Sequence, residues 1–130
     1  MKYHGSCHCG QIAFDVEGEI PEVMSCNCSM CQRKGILMWF VPREAMTLLT
    51  PREKMSTYTF NKHAIKHYFC PVCGIHPFGE GVAPTGQETA AINVRCLEGV
   101  DLADHQHQVH LKAEQAGPGG FKAQQAGGHV

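Results

Sequence analysis

Cysteine is the residue whose type and spacing most invite chemistry in this chain, with eight copies in 130 residues. Seven of them fall into two groups. The first joins Cys7-His8-Cys9 to Cys70-Pro71-Val72-Cys73-Gly74. A C-x-x-C pair followed by Gly curls the backbone so that two thiolates point at one ion, and Gly takes the left-handed dihedral the turn needs. Two such short pairs, brought together by folding, complete a tetrahedral four-thiolate zinc site. That site is closed to substrate, so its work is to hold residues 1–10 onto a central hairpin. The second group is Cys26-Asn27-Cys28-Ser29-Met30-Cys31. Three thiolates from one loop cap a zinc ion and leave a fourth corner to be filled from elsewhere. Water or substrate fills it in a catalytic site. Cys96 or a histidine would fill it in a second closed site. Spacing leaves both readings open.

Disulfides fit the cysteines less well than metal. Cys7 and Cys9 are separated by one residue, as are Cys26 and Cys28, too close to bridge without strain. No apolar signal stretch follows Met1, so a reducing cytoplasm is expected, where thiols are metal ligands rather than disulfide partners. The formal net charge of -1, with no basic block, argues against nucleic-acid binding. No apolar run reaches the roughly 18 residues of a membrane span.

The positions of these cysteines depend on strands. Gln11 to Glu17 alternates, with Ile12, Phe14 and Val16 on one face, and reads as a half-buried strand. Ile36 to Val41 is a continuous apolar run stopped by Pro42 and reads as a strand buried on both faces. Further strands are expected at 46–49, 56–60, 65–69, 89–95 and 109–111. Glycines and prolines, among them Gly74, Pro77, Gly79 and Gly81, read as turns. Short helices are expected at 29–34 and 111–116. The class is all-β, with one zinc-binding domain over residues 1–111. From Lys112 an Ala/Gln/Gly-rich segment, with KAEQAG recurring as KAQQAG, reads as a flexible tail.

Gly5-Ser6-Cys7-His8-Cys9-Gly10, Cys26-Asn27-Cys28-Ser29-Met30-Cys31 and Phe69-Cys70-Pro71-Val72-Cys73-Gly74 resemble the family of glutathione-dependent formaldehyde-activating enzyme and centromere protein V. Asn93-Val94-Arg95-Cys96-Leu97-Glu98-Gly99 is similar to that family's late strand. The resemblance covers residues 3–104. It implies a β-tent fold of small antiparallel sheets and two zinc ions per chain. The structural ion would sit on Cys7, Cys9, Cys70 and Cys73, and the catalytic one on Cys26, Cys28 and Cys31. It also implies a carbon–sulfur lyase of the S-(hydroxymethyl)glutathione synthase kind, with glutathione as co-substrate for formaldehyde. The alternatives are a non-enzymatic zinc-stabilised binding module, or a thiol redox sensor that releases its metal on oxidation.

Arg33 and Lys34, just after Cys31, are placed to offset thiolate charge or to meet glutathione carboxylates. His8 and His76 flank the clamp as candidate hydrogen-bond donors to it. His105, His107 and His110 alternate like a solvent-facing strand. Cys96 reads as a small apolar residue on a strand, and Trp39 and Phe40 as core. The expected partner is a small-molecule thiol, and a homodimer through paired edge strands is compatible with the pattern.

Overall fold

In the computed structural model, residues 1–21, 23–26, 29–60, 64–101 and 107–110 are described. Ten strands form two sheets. The first comprises β1 (Lys2–Ser6), β2 (Ala13–Glu17) and β5 (Met46–Leu48), in the order β1-β2-β5. The second contains β3 (Val23–Cys26), β4 (Leu37–Pro42), β6 (Ser56–Tyr58), β7 (Lys66–Phe69), β8 (Phe78–Val82), β9 (Glu88–Asn93) and β10 (His107–His110). Its order is β10-β3-β4-β9-β8-β7-β6. Every pairing is antiparallel except that of β10 with β3. One short helix, α1 (Ser29–Lys34), follows β3. The all-β class and the arrangement of antiparallel sheets are those the resemblance implied.

The small sheet covers one face of the large one. Ile12, Phe14 and Val16 are buried, as the alternation predicts, and meet Trp39, Val41, Phe78, Ala90 and Ile92 of the large sheet in one core. Phe14 and Phe78 lie 5.8 Å apart, centroid to centroid, and Tyr3 stands edge-on to Trp39 at 5.9 Å. Together these large rings supply much of the apolar area that drives the two sheets together.

Two expectations are corrected here. The run at 36–41 is not buried on both faces. Leu37, Trp39 and Val41 enter the core, whereas Phe40 is 44% exposed on the opposite face. The reason is its partners: β4 pairs antiparallel with β3 and β9, and such a sheet needs cover on only one side. Gly79 and Gly81 are not turns but lie inside β8. A Cβ on Gly79 would come within 3.0 Å of the Lys66 carbonyl oxygen, so strand β7 packs where a side chain would stand. The strand expected through Arg95 ends at Asn93, whose side chain accepts a hydrogen bond from the Arg95 N–H and caps a 3-10 turn, Val94–Cys96. The helix expected at 111–116 and the tail from 112 lie outside the described residues.

One polar network ties the large sheet to its flanking loops. Glu80 accepts from Arg43, from Arg52 at 2.9 and 3.0 Å, and from the Tyr68 hydroxyl at 2.8 Å. Burial works against its charge, but the bonds from Arg52, Tyr68 and Arg43 outweigh it and hold its carboxyl down at about 2. A carboxyl lowered on folding stabilises the fold fully above its ordinary 4.5 and loses that contribution as pH falls through about 2. Glu80→Gln should cost about 1–3 kcal/mol at neutral pH. It should also flatten the decline of melting temperature across that acid window, as thermal melts at stepped pH would read.

Candidate metal centre

Two loops bring the first cysteine group together, and they repeat one local design. After β1 the chain turns at Cys7–Gly10, and after β7 it turns at Cys70–Gly74. In each loop the leading cysteine N–H donates to the carbonyl of an isoleucine five residues on, Cys7 to Ile12 at 3.0 Å and Cys70 to Ile75 at 2.9 Å. The closing glycine returns a bond to that cysteine's carbonyl, Gly10 to Cys7 at 3.2 Å and Gly74 to Cys70 at 2.8 Å. Both glycines take positive φ, 86° and 82°. A side chain would strain either one, which is why the sequence has Gly after each pair.

The four sulfurs converge. Sγ of Cys7, Cys9, Cys70 and Cys73 all lie within 4.8 Å of one another, with Cys7–Cys9 at 3.8 Å and Cys9–Cys70 at 3.6 Å. A disulfide would need about 2.05 Å. A tetrahedron with metal–sulfur bonds of about 2.3 Å has edges near 3.8 Å, so the spacing is that of a four-thiolate ion site. The five described cysteines 7, 9, 70, 73 and 96 are free thiols.

The surroundings also suit thiolates. Ile12 N–H points at Cys7 Sγ at 3.3 Å, and the N–H groups of Val72 and Cys73 point at Cys70 Sγ at 3.3 and 3.4 Å. Donors aimed at sulfur offset the negative charge that four thiolates leave around a dication. At Cys73 the N–H of Ile75 outweighs burial and brings the thiol down to about 6. At Cys70 burial raises the thiol, but the Cys73 and Val72 N–H groups prevail and lower it. At Cys9 the Gln11 backbone bond favours the thiolate, yet burial and the sulfurs of Cys70, Cys7 and Cys73 push the thiol up to about 11. Without an ion, one proton thus stays on Cys9 while its neighbours tend to ionise. The four residues therefore fit a metal ion.

The other expected residues fall elsewhere. Cys26 ends β3 and Cys31 lies within α1, so strand and helix bracket the second motif. Cys28 itself lies outside the described residues, as does His105. His107 and His110 open and close β10. Arg33 and Lys34 are exposed in the last turn of α1, and Lys34 Nζ sits 5.8 Å over the Phe69 ring, next to Cys70. Cys96 is half-buried in the 3-10 turn rather than on a strand. Burial first, and then Cys7 and Cys73 nearby, push its thiol up to about 11. His8 is exposed; His76 is buried, with its ring 5.9 Å from that of His67. Sequence reasoning missed the backbone donors that serve the sulfurs. The recurring spacing of Gly and Ile after each cysteine pair was the signal for them.

Comparison with known proteins agrees with this picture. The family described as glutathione-dependent formaldehyde-activating enzyme matches residues 2–114. A crystal structure of a Rhodobacter sphaeroides protein superposes with a TM-score of 0.69 at 29% identity, covering 83% of this chain and 100% of that one. Among the described residues, no helix is long and apolar enough to cross a membrane.

Proposed function

The chain belongs to the glutathione-dependent formaldehyde-activating enzyme family, and from that premise we propose that it is a zinc-dependent carbon–sulfur lyase. It would join a small thiol, glutathione or a relative, to formaldehyde and reverse that step, in the manner of S-(hydroxymethyl)glutathione synthase. The observation that carries this reading is the separation of the two cysteine groups. The four sulfurs of the clamp converge on one another, so the motif Cys26–Cys31 is left to serve a different ion.

In this reading the clamp fastens the loop after β1 to the loop after β7. Cys26, Cys28 and Cys31 hold the second ion and leave one corner for substrate. Bound there, zinc would deprotonate an incoming thiol at neutral pH and fix its sulfur. The reaction forms one carbon–sulfur bond. The carbonyl π electrons pass to oxygen, and the thiol's proton ends there as the hydroxyl of the adduct. α1 orients Cys31 and carries Arg33 and Lys34 on its last turn, where positive charge meets the C-terminal end of the helix dipole. The two cations would offset the thiolates or receive a substrate carboxylate. The cytoplasm, with its millimolar-scale pool of small thiols, is the matching compartment.

The test is an NMR exchange measurement of formaldehyde with glutathione. Zinc-loaded protein is expected to accelerate exchange above the buffer rate in proportion to enzyme concentration. A rate equal to buffer would favour a zinc-stabilised binding module.

A further inference from the structure

The face of the large sheet turned away from the small sheet carries a groove of about 430 Å³ that the clamp does not use. Gly79, Gly81 and Ala91 form its floor, and Phe40, Ile65 and Val82 its walls. The size is that of a small-molecule pocket. Glu80 is the one charged residue in the lining, and its carboxylate is engaged by Arg52, Arg43 and Tyr68. No cation lines the groove, so a tripeptide with two carboxylates would find no counter-charge in it.

The groove has a polar end at Gly79. His67, Gly79, Ala91 and Phe40 stand side by side across four strands. A Cβ on Gly79 would lie 3.8 Å from His67 Nδ1 and 3.8 Å from His76 Cε1, so the missing side chain leaves two imidazole edges next to the floor. Phe60 stacks on His67 at 5.3 Å and fixes that ring. His76 is only 8% exposed, and its Nδ1 has no hydrogen-bond partner. Buried polar atoms are nearly always paired, so a bare one marks the place of a ligand group or an ordered water. Burial first, then Lys34 and His67, lower the ring to about 3, while a bond to the Tyr68 backbone acts in the opposite direction. A bond that favours the charged ring is one in which the ring donates. The other nitrogen then carries a lone pair and calls for an N–H, O–H or S–H donor.

This polar end adjoins the second cysteine motif from two directions. The Asn93 side chain donates to the His76 carbonyl at 3.0 Å. Asn93 pairs with Met38, and Met38 with Met24, two residues before Cys26. Lys34, whose charge His76 feels, belongs to the helix that holds Cys31.

We propose that this groove seats the body of an uncharged, largely apolar thiol, with His76 Nδ1 accepting the hydrogen-bond donor of that thiol or of its hydroxymethyl adduct. The thiol class rests on the function proposed above, whereas the groove and its acceptor rest on geometry alone. The test titrates the zinc-loaded full chain with 2-phenylethanethiol and, separately, with glutathione. It follows the amide signals of Gly79, Gly81 and Ala91 and the imidazole nitrogens of His76. The neutral thiol should bind more tightly than glutathione, move those amides, and shift Nδ1 in the sense of accepting a bond. His76→Leu should weaken its binding roughly tenfold, the scale of one lost hydrogen bond, and His76→Asn should restore part of it. If either variant fails to fold, the wild-type nitrogen titration decides. The proposal is overturned if the groove amides stay still. It is equally overturned if Nδ1 is already bonded in the free protein and does not move, or if glutathione binds the groove better. Formaldehyde exchange with glutathione that leaves the groove amides unmoved would remove this inference and keep the activity. Groove binding without any exchange would do the reverse.

Discussion

Cys70→Ser is expected to release the clamp's metal and lower the melting temperature by roughly 10–20 °C, equivalent to about 3–5 kcal/mol. Cys70 is fully buried, accepts two backbone N–H groups, and lies 3.6 Å from a sulfur 61 positions earlier in the chain. Serine in its place offers a poor zinc ligand and leaves those donors facing a shorter, harder atom. Structural zinc contributes on the order of 10–16 kcal/mol in zinc-finger peptides, which have almost no core of their own. Here Phe14, Phe78, Ile92 and Trp39 hold the sheets together independently, so the loss should be smaller than that and the sheets should survive. A melt of wild type in excess chelator should coincide with that of the variant. If chelator leaves the wild-type melt unchanged, the clamp holds no stabilising ion.

Cys28→Ser should do the opposite: remove the reaction and spare the fold. A cap of three thiolates that loses one no longer holds an ion firmly, and even changes beside a metal ligand reduce activity by about 10–100-fold. Exchange of formaldehyde with thiol should therefore fall to the buffer rate. The melt should stay close to that of wild type, because the core and the clamp contain no contribution from that loop. A variant that retained wild-type exchange would place the chemistry elsewhere in the molecule.

How much of this could be read beforehand varies with the kind of signal. The clamp was legible because C-x-C and C-x-x-C-G carry ligand spacing and turn chemistry in the same few residues. β2 was legible because Ile12, Phe14 and Val16 alternate against one core, and structure buries all three. The run at 36–41 misled because five neighbouring apolar residues look alike whether one face or two are covered. Only the antiparallel partners of β4 decide it, and they lie far away in sequence. Gly79 and Gly81 misled for a related reason. Their smallness answers to a neighbouring strand and an open groove, and neither is written nearby in the chain. His76 was noticed for its place after Cys73, but its burial and its bare nitrogen follow from β7 and β8 closing over it. The second motif remains where its spacing left it, a three-ligand cap whose open corner rests on the family.

Metal content of the purified chain tests the central claim most directly. The account predicts about two zinc ions per wild-type chain and one in Cys28→Ser, with the remaining ion lost only when Cys70 is also replaced. A wild-type chain holding a single ion, or a second ion already bound by four protein ligands, would contradict it.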